Sequence, residues 1–139
     1  MLSKIISQAN IDHVEKWFER AEKIVIVSHV SPDGDAIGSS LGLYHFLDAL
    51  GKRVNVIMPN SFPAFFKWMP GANDIIIYNK YKDFADKLIQ EADVICCLDF
   101  NTVVSFCDIF CNINGYCHII GSRFYVNKLS RYFNCINCI

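Results

Sequence analysis

With 139 residues, 53% of them hydrophobic, the chain has room for one domain built on a single core. A formal net charge of -1 and a pI near 6.4 exclude a chain-wide electrostatic footprint for long duplex DNA or an anionic membrane, so a nucleic-acid ligand would be small or gripped locally. No apolar run approaches the ~20 residues that span a bilayer, and Lys4, Asp12, Glu15 and Lys16 interrupt the N-terminal apolar pattern, which points to the cytoplasm and away from a membrane partner.

In chain order, Val14, Trp17, Phe18 and Ala21 recur at spacings of three and four, so residues 11–21 are predicted to form an amphipathic helix with Asn10 or Asp12 near its cap. The continuous β-branched run Ile24-Val25-Ile26-Val27 suits a strand covered on both faces of a parallel sheet. A loop rich in Ser, Pro, Asp and Gly follows, then a helical pattern from Ala36 to Leu50 that Gly51 stops. Val54 to Met58 reads as a second strand, 59–71 as a loop with a short helical turn, and Ile75 to Tyr78 as a third strand. Tyr81 to Glu91 reads as a helix, and Val94 to Leu98 as a strand that ends at Asp99. This alternation is the signature of an α/β fold: a mostly parallel sheet with flanking helices. The aromatics Phe62, Phe65, Phe66 and Trp68 with Met69 could form a base-stacking platform, but beside Pro63, Pro70 and Gly71 they are expected to pack a loop onto the core.

After Asn101 the composition changes. Of the 13 basic and 14 acidic side chains, only Asp108, Arg123, Lys128 and Arg131 fall beyond it, together with five of the seven cysteines. Apolar residues there keep no clear period. Translation in another reading frame would produce such a segment, and so would a hydrophobic tail that packs on a missing partner. The composition therefore divides the chain into a main portion at 1–101 and an atypical tail at 102–139. The odd cysteine count argues against a secreted disulfide framework, and Cys135-x-x-Cys138 alone is only half of a zinc signature.

The segment that carries chemistry is Ser28-His29-Val30-Ser31-Pro32-Asp33-Gly34-Asp35-Ala36-Ile37-Gly38-Ser39. It joins a strand to a helix, where parallel sheets place their sites. His29 offers an imidazole, and Asp33 and Asp35 offer hard oxygens on either side of a glycine that permits a sharp turn. Two carboxylates so close repel one another until a cation neutralises them. Mixed imidazole and carboxylate ligation suits Mn²⁺ better than Mg²⁺. Singly, each residue has a plainer role: an Asx turn for Asp33, a helix cap for Asp35, an ordinary strand-end histidine for His29. Three residues of metal-ligand type within seven positions favour a metal site instead. Gly38 and Ser39 in the first helical turns are expected to leave amides and hydroxyls facing a phosphate. Asp99 should share the sheet edge of His29 and could bridge two ions.

The pattern His29-x-x-Pro32-Asp33-Gly34-Asp35-Ala36-x-Gly38-Ser39, followed by Cys97-Leu98-Asp99-Phe100-Asn101, resembles the first two motifs of the DHH phosphoesterase family. The stretch from Phe62-Pro63 to Pro70-Gly71 is similar to the subgroup of bifunctional oligoribonucleases and pAp phosphatases. The resemblance covers roughly residues 10–101. It implies a phosphoesterase that cleaves short single-stranded RNA or removes phosphate from 3'-phosphoadenosine 5'-phosphate (pAp). It also implies a site of two Mn²⁺ ions held by His29, Asp33, Asp35 and Asp99, with the three aspartates catalytic and Gly38, Ser39 and Asn101 on the phosphate or substrate side. The family's third motif, Asp-His-His, is absent from the chain, and His118 stands between Cys117 and Ile119 without a carboxylate neighbour. Single-strand exonuclease, cyclic dinucleotide phosphodiesterase and pyrophosphatase activities stay open within the family. So do a non-catalytic metal- or nucleotide-binding remnant and a chain left unstable by an unpaired sheet edge. A chain short of its third motif is expected to be inactive.

Overall fold

The structure, a computed structural model, describes residues 8–99 and the strands at 118–122 and 135–138. Six strands form one sheet: β1 (Lys23–Val27), β2 (Arg53–Met58), β3 (Ile76–Ile77), β4 (Val94–Cys97), β5 (His118–Ser122) and β6 (Cys135–Cys138). Their order is β3-β2-β1-β4-β5-β6, and every neighbouring pair is parallel. The helices are α1 (Gln8–Arg20), α2 (Gly34–Ala49) and α3 (Lys82–Gln90). The fold class expected from the sequence is the one observed.

Burial explains why the strands read as continuous apolar runs. Ile24 and Ile26 of β1 lie with Val56, Met58, Val94 and Cys96 in a core cluster closed by Ile37, Leu41 and Leu47 of α2 and by Trp17 and Phe18 of α1. The alternate residues Val25, Val27, Ile57, Ile95 and Cys97 point to the other face and are just as buried. A sheet covered on both faces leaves no polar side to alternate with.

Local chemistry sets the helix ends. Helix α2 stops where Gly51, at φ +77°, takes a left-handed turn; the Gly51 and Lys52 amides then donate to the carbonyls of Asp48 and Leu47 at 2.8 and 3.1 Å. Helix α1 contains both Asn10 and Asp12 rather than being capped by either. Asp12 instead accepts from Gln8 one turn earlier, at 2.7 Å.

Beyond Asp99 two further strands are described. There β5 pairs with β4 and β6 with β5, so β4 lies inside the sheet. Runs such as Ile119-Ile120 carry enough β-branched character to join a parallel sheet. Asn101 and the remainder of 100–117, 123–134 and 139 lie outside the described residues. His118 is level with Val94 at the start of its strand, the end of the sheet remote from Asp99.

One ion-like contact ties the sheet together. Asp93, just before β4, accepts from the backbone amides of Glu22 and Lys23 at 2.9 Å each, joining the start of β4 to the start of β1. The Lys23 amide, with that of Glu22, holds the Asp93 carboxyl below its usual range. A depressed carboxylate stabilises the fold above its unfolded value near 3.8 and loses that contribution as pH falls through the folded value. Asp93→Ala should therefore cost about 1–2 kcal/mol at pH 7. Thermal melts of the two proteins should converge as the pH is lowered towards 3, and a gap that persists unchanged at pH 3 would contradict the assignment.

Candidate metal centre

The strand order reverses direction at β1: the chain moves from β1 to β2 on one side and returns to β4 on the other. Open α/β sheets form a crevice at the carboxyl ends of strands flanking such a switch point. His29 follows β1 and Asp99 follows β4, and the Leu98 amide donates to the Val27 carbonyl at 2.9 Å, carrying the pairing up to that edge.

There the structure brings together His29, Asp33 and Asp99, with one ligand atom from each lying within 4.8 Å of the others. His29 Nε2 is 3.3 Å from Asp99 Oδ2 and 3.9 Å from Asp33 Oδ1. Ligands bound ~2.0–2.2 Å from a first-row ion stand ~3 Å apart at right angles and ~4.2 Å apart across it, so these separations fit a shared ion.

The imidazole is set for that role. His29 Nδ1 lies 2.8 Å from the carbonyl oxygen of Val30, which can only accept, so Nδ1 carries the proton and Nε2 is the nitrogen turned to the carboxylates. A backbone carbonyl on the second ring nitrogen is the usual means of orienting a metal-binding histidine. A nitrogen lone pair facing two carboxylates is repulsive unless a proton or a cation lies between them. The donor set thus fits a cation. Next to it, Ser28 has a fully buried hydroxyl without a protein partner.

Helix α2 fixes Asp33. Its backbone is extended (φ -96°, ψ -173°), and its Oδ1 accepts from the Asp35 and Ala36 amides at 3.0 Å each. The Ala36 amide above all, followed by that of Asp35 and the nearby His29, holds the Asp33 carboxyl below its usual range, so it is ionised and ready to bind a cation. The cap role weighed as the plainer alternative for Asp35 belongs to Asp33, which is the N-cap, and Asp35 stands exposed in the first turn, outside the group of three. Two acids flanking one glycine look equivalent in sequence, and only the extended backbone at the first makes it the cap.

The substrate-side expectations divide. Ser39 donates to the Ala36 carbonyl of its own helix at 3.3 Å. A Cβ on Gly38 would meet Met69 Cε only at 4.0 Å, ordinary contact, whereas one on Gly34 would come within 3.2 Å of the Phe66 ring. The close approach is at Gly34. The aromatic stretch divides as well: Phe62, Phe66 and Met69 pack against the core, while Phe65 and Trp68 are 69% and 77% exposed.

The sequence reading missed Asn60 and the strained backbone around the site. Ser31 and Asp99 have φ of +56° and +57°, the only non-glycine residues in the left-handed region among those described, and such strain concentrates at functional sites. Asn60, two residues past β2, accepts from the Ser31 amide through Oδ1 at 2.7 Å and so holds the loop between β1 and α2. Asparagine after a strand and proline is a weak signal on its own. The burial of Cys96 beneath this edge pushes its thiol up to about 12, which keeps it out of metal chemistry.

Comparison with known proteins bears on the family and the fold. The DHH family's N-terminal domain matches residues 23–112. The Bifunctional oligoribonuclease and PAP phosphatase NrnA of Thermus thermophilus is 42% identical over 72 residues, covering 52% of this chain and 20% of that protein. The crystal structure of an exopolyphosphatase-related protein from Bacteroides fragilis superposes with a TM-score of 0.80 at 60% identity, over 95% of this chain and 40% of the other. An alpha-glucosyltransferase in complex with UDP, 17% identical, shares the fold alone at a TM-score of 0.56 over 73% of this chain and 28% of the other. The chain spans less than half the length of any of the three.

Proposed function

The chain belongs to the DHH family, and from that premise we propose that it is the N-terminal part of a Mn²⁺-dependent phosphoesterase acting on short oligoribonucleotides and pAp. The observation that carries this reading is the convergence of His29, Asp33 and Asp99 at the switch point of the sheet. These three hold one ion, with Asp35 on the adjoining turn and Asp99 shared towards a second. When bound, the ions supply Lewis-acid polarisation of a phosphoryl oxygen and acidify a water molecule. The chain's own contribution is placement. The Val30 carbonyl orients His29, the α2 amides orient Asp33, and Asn60 pins the loop between them. Among the described residues no helix is long and apolar enough to cross a membrane, in keeping with substrates met in solution. Support for the substrate class comes from the Thermus relative, whose name states oligoribonuclease and PAP phosphatase activity. The organisation expected from composition, a catalytic portion up to residue 101 followed by a tail of different character, belongs to the same proposal.

The test is a chimera in which residues 1–99 replace the corresponding segment of the Bacteroides protein, which is 60% identical to this chain. It should release phosphate from pAp and shorten di- to pentaribonucleotides when Mn²⁺ is present. Asp35→Asn in that chimera should remove most of the turnover, about 100-fold or more, while one ion stays bound at His29, Asp33 and Asp99. The Asp33 cap is untouched by the change, so far-UV circular dichroism should not move. Undiminished turnover by Asp35→Asn at saturating Mn²⁺ would refute the two-ion assignment, and hydrolysis of inorganic polyphosphate but not of pAp would refute the substrate class.

A further inference from the structure

A cleft of about 600 Å³ opens beside the candidate metal centre, between the Ser31–Gly34 loop and the segment that follows β2. Its volume lies within the range of small-molecule sites. One wall includes Asp33, a member of the metal group; the other is formed by Ser61, Phe62, Phe65 and Phe66. Among the described residues, no lysine or arginine lines it.

Two features make the aromatic wall rigid. Phe66 packs against the core and abuts Gly34, where a Cβ would meet its ring at 3.2 Å. Phe65 then leans on Phe66, with ring centroids 4.1 Å apart and planes tilted by 41°. Phe65 is nevertheless 69% exposed. Core packing accounts for Phe66 and leaves the Phe65 ring available at the cleft.

Resting on the reading of His29, Asp33 and Asp99 as a phosphate-handling metal site, we infer that this cleft binds the nucleobase of the substrate, with Phe65 as its stacking face. A ligand anchored through a phosphate at Asp33's ion must lay its next portion along a wall that is apolar, aromatic and devoid of cations. A planar neutral base satisfies that wall, since every base offers a π-face to an aromatic side chain. A polyphosphate chain does not, because successive charges would pass apolar rings with no cation to neutralise them. The Ser61 hydroxyl supplies a polar group beside the ring for a base edge. The cleft therefore selects nucleotides over inorganic polyphosphate.

Saturation-transfer NMR on the 139-residue chain tests this, with Mg²⁺ as a diamagnetic ion and AMP, ribose 5-phosphate and tripolyphosphate as probes. The adenine H2 and H8 protons of AMP should receive the strongest saturation, and ribose 5-phosphate should give a far weaker signal. Tripolyphosphate should displace AMP poorly. Phe65→Ala should lower the adenine signal about fivefold or more, as expected for loss of one base-stacking contact, and Phe65→Tyr should restore it. Phe65→Leu, which keeps apolar bulk without a π-face, should behave as the alanine does and serves if that variant folds poorly. An adenine signal unchanged in Phe65→Ala or Phe65→Leu, or ribose 5-phosphate saturated as strongly as AMP, would overturn the inference. Mn²⁺ titration of the same variants separates the two claims: unchanged Mn²⁺ affinity with an unchanged adenine signal removes the base site and leaves the metal centre standing, whereas a wild-type chain that binds no Mn²⁺ removes the metal reading itself.

Discussion

Asp99→Asn is expected to lower Mn²⁺ affinity about 100-fold while leaving the metal-free chain at least as stable as the wild type. Asp99 sits at φ +57°, a region that asparagine tolerates as well as aspartate, so the substitution keeps the backbone. It removes the carboxylate 3.3 Å from His29 Nε2, one of the three ligands in the group. Altering even an outer partner of a metal ligand typically costs 10–100-fold in affinity, and a direct ligand should lie at or beyond the upper end. Without metal the same carboxylate faces Asp33 across the imidazole, and removing one of two neighbouring negative charges relieves that repulsion. Function and metal-free stability should therefore move in opposite directions, as they do where a site stores strain for its ligand. Mn²⁺ titration followed by paramagnetic resonance, with a thermal melt in chelator, reads both. A melt lowered by several degrees in chelator with affinity unchanged would mean that Asp99 is a structural turn residue.

The second large effect concerns turnover. Supplied with millimolar Mn²⁺ and pAp, the 139-residue chain should release no phosphate above a no-enzyme control. On the proposed reading its three-residue group would hold one ion, and Asp35 stands outside that group. At the same sheet edge β5 ends in Gly121 and Ser122, neither of which carries an imidazole or a carboxylate to fix a second ion. A two-metal clamp works only when both ions sit ~3.5–4 Å apart on the attacking and leaving oxygens. Orientation of substrate adds up to ~7–11 kcal/mol of barrier lowering in well-aligned systems, and an open cleft supplies little of it. Phosphate release that disappears in Asp99→Asn would show that these residues suffice for catalysis.

The legible parts of this protein were those governed by local rules. Short continuous apolar runs betrayed β1 and β4 because a sheet covered on both faces has no polar side, and Gly51 marked the end of α2 through its backbone freedom. Placing His29 and Asp99 on one edge needed only the parallel arrangement. What stayed hidden depends on geometry that composition does not encode. Asp33 and Asp35 could not be told apart as cap and first-turn residue without the extended backbone at Asp33. The bond from the Ser31 amide to Asn60 joins two loops from different strands and requires a left-handed serine. The split of the aromatic stretch into packed Phe66 and outward Phe65 follows from the missing Cβ at Gly34, a contact between segments 32 positions apart. The strands β5 and β6 lie in a segment whose apolar residues keep no period, so only the pairing of β5 with β4 and of β6 with β5 reveals them.

The central claim is that His29, Asp33 and Asp99 together hold a metal ion, and pulsed paramagnetic resonance of the Mn²⁺-loaded 139-residue chain addresses it directly. Nitrogen modulation from one coordinated imidazole should appear in the wild type and vanish in His29→Gln, with His13, His45 and His118 left in place as internal controls. Modulation that survives His29→Gln, or a bound ion with no nitrogen in its coordination sphere, would contradict the assignment of this site.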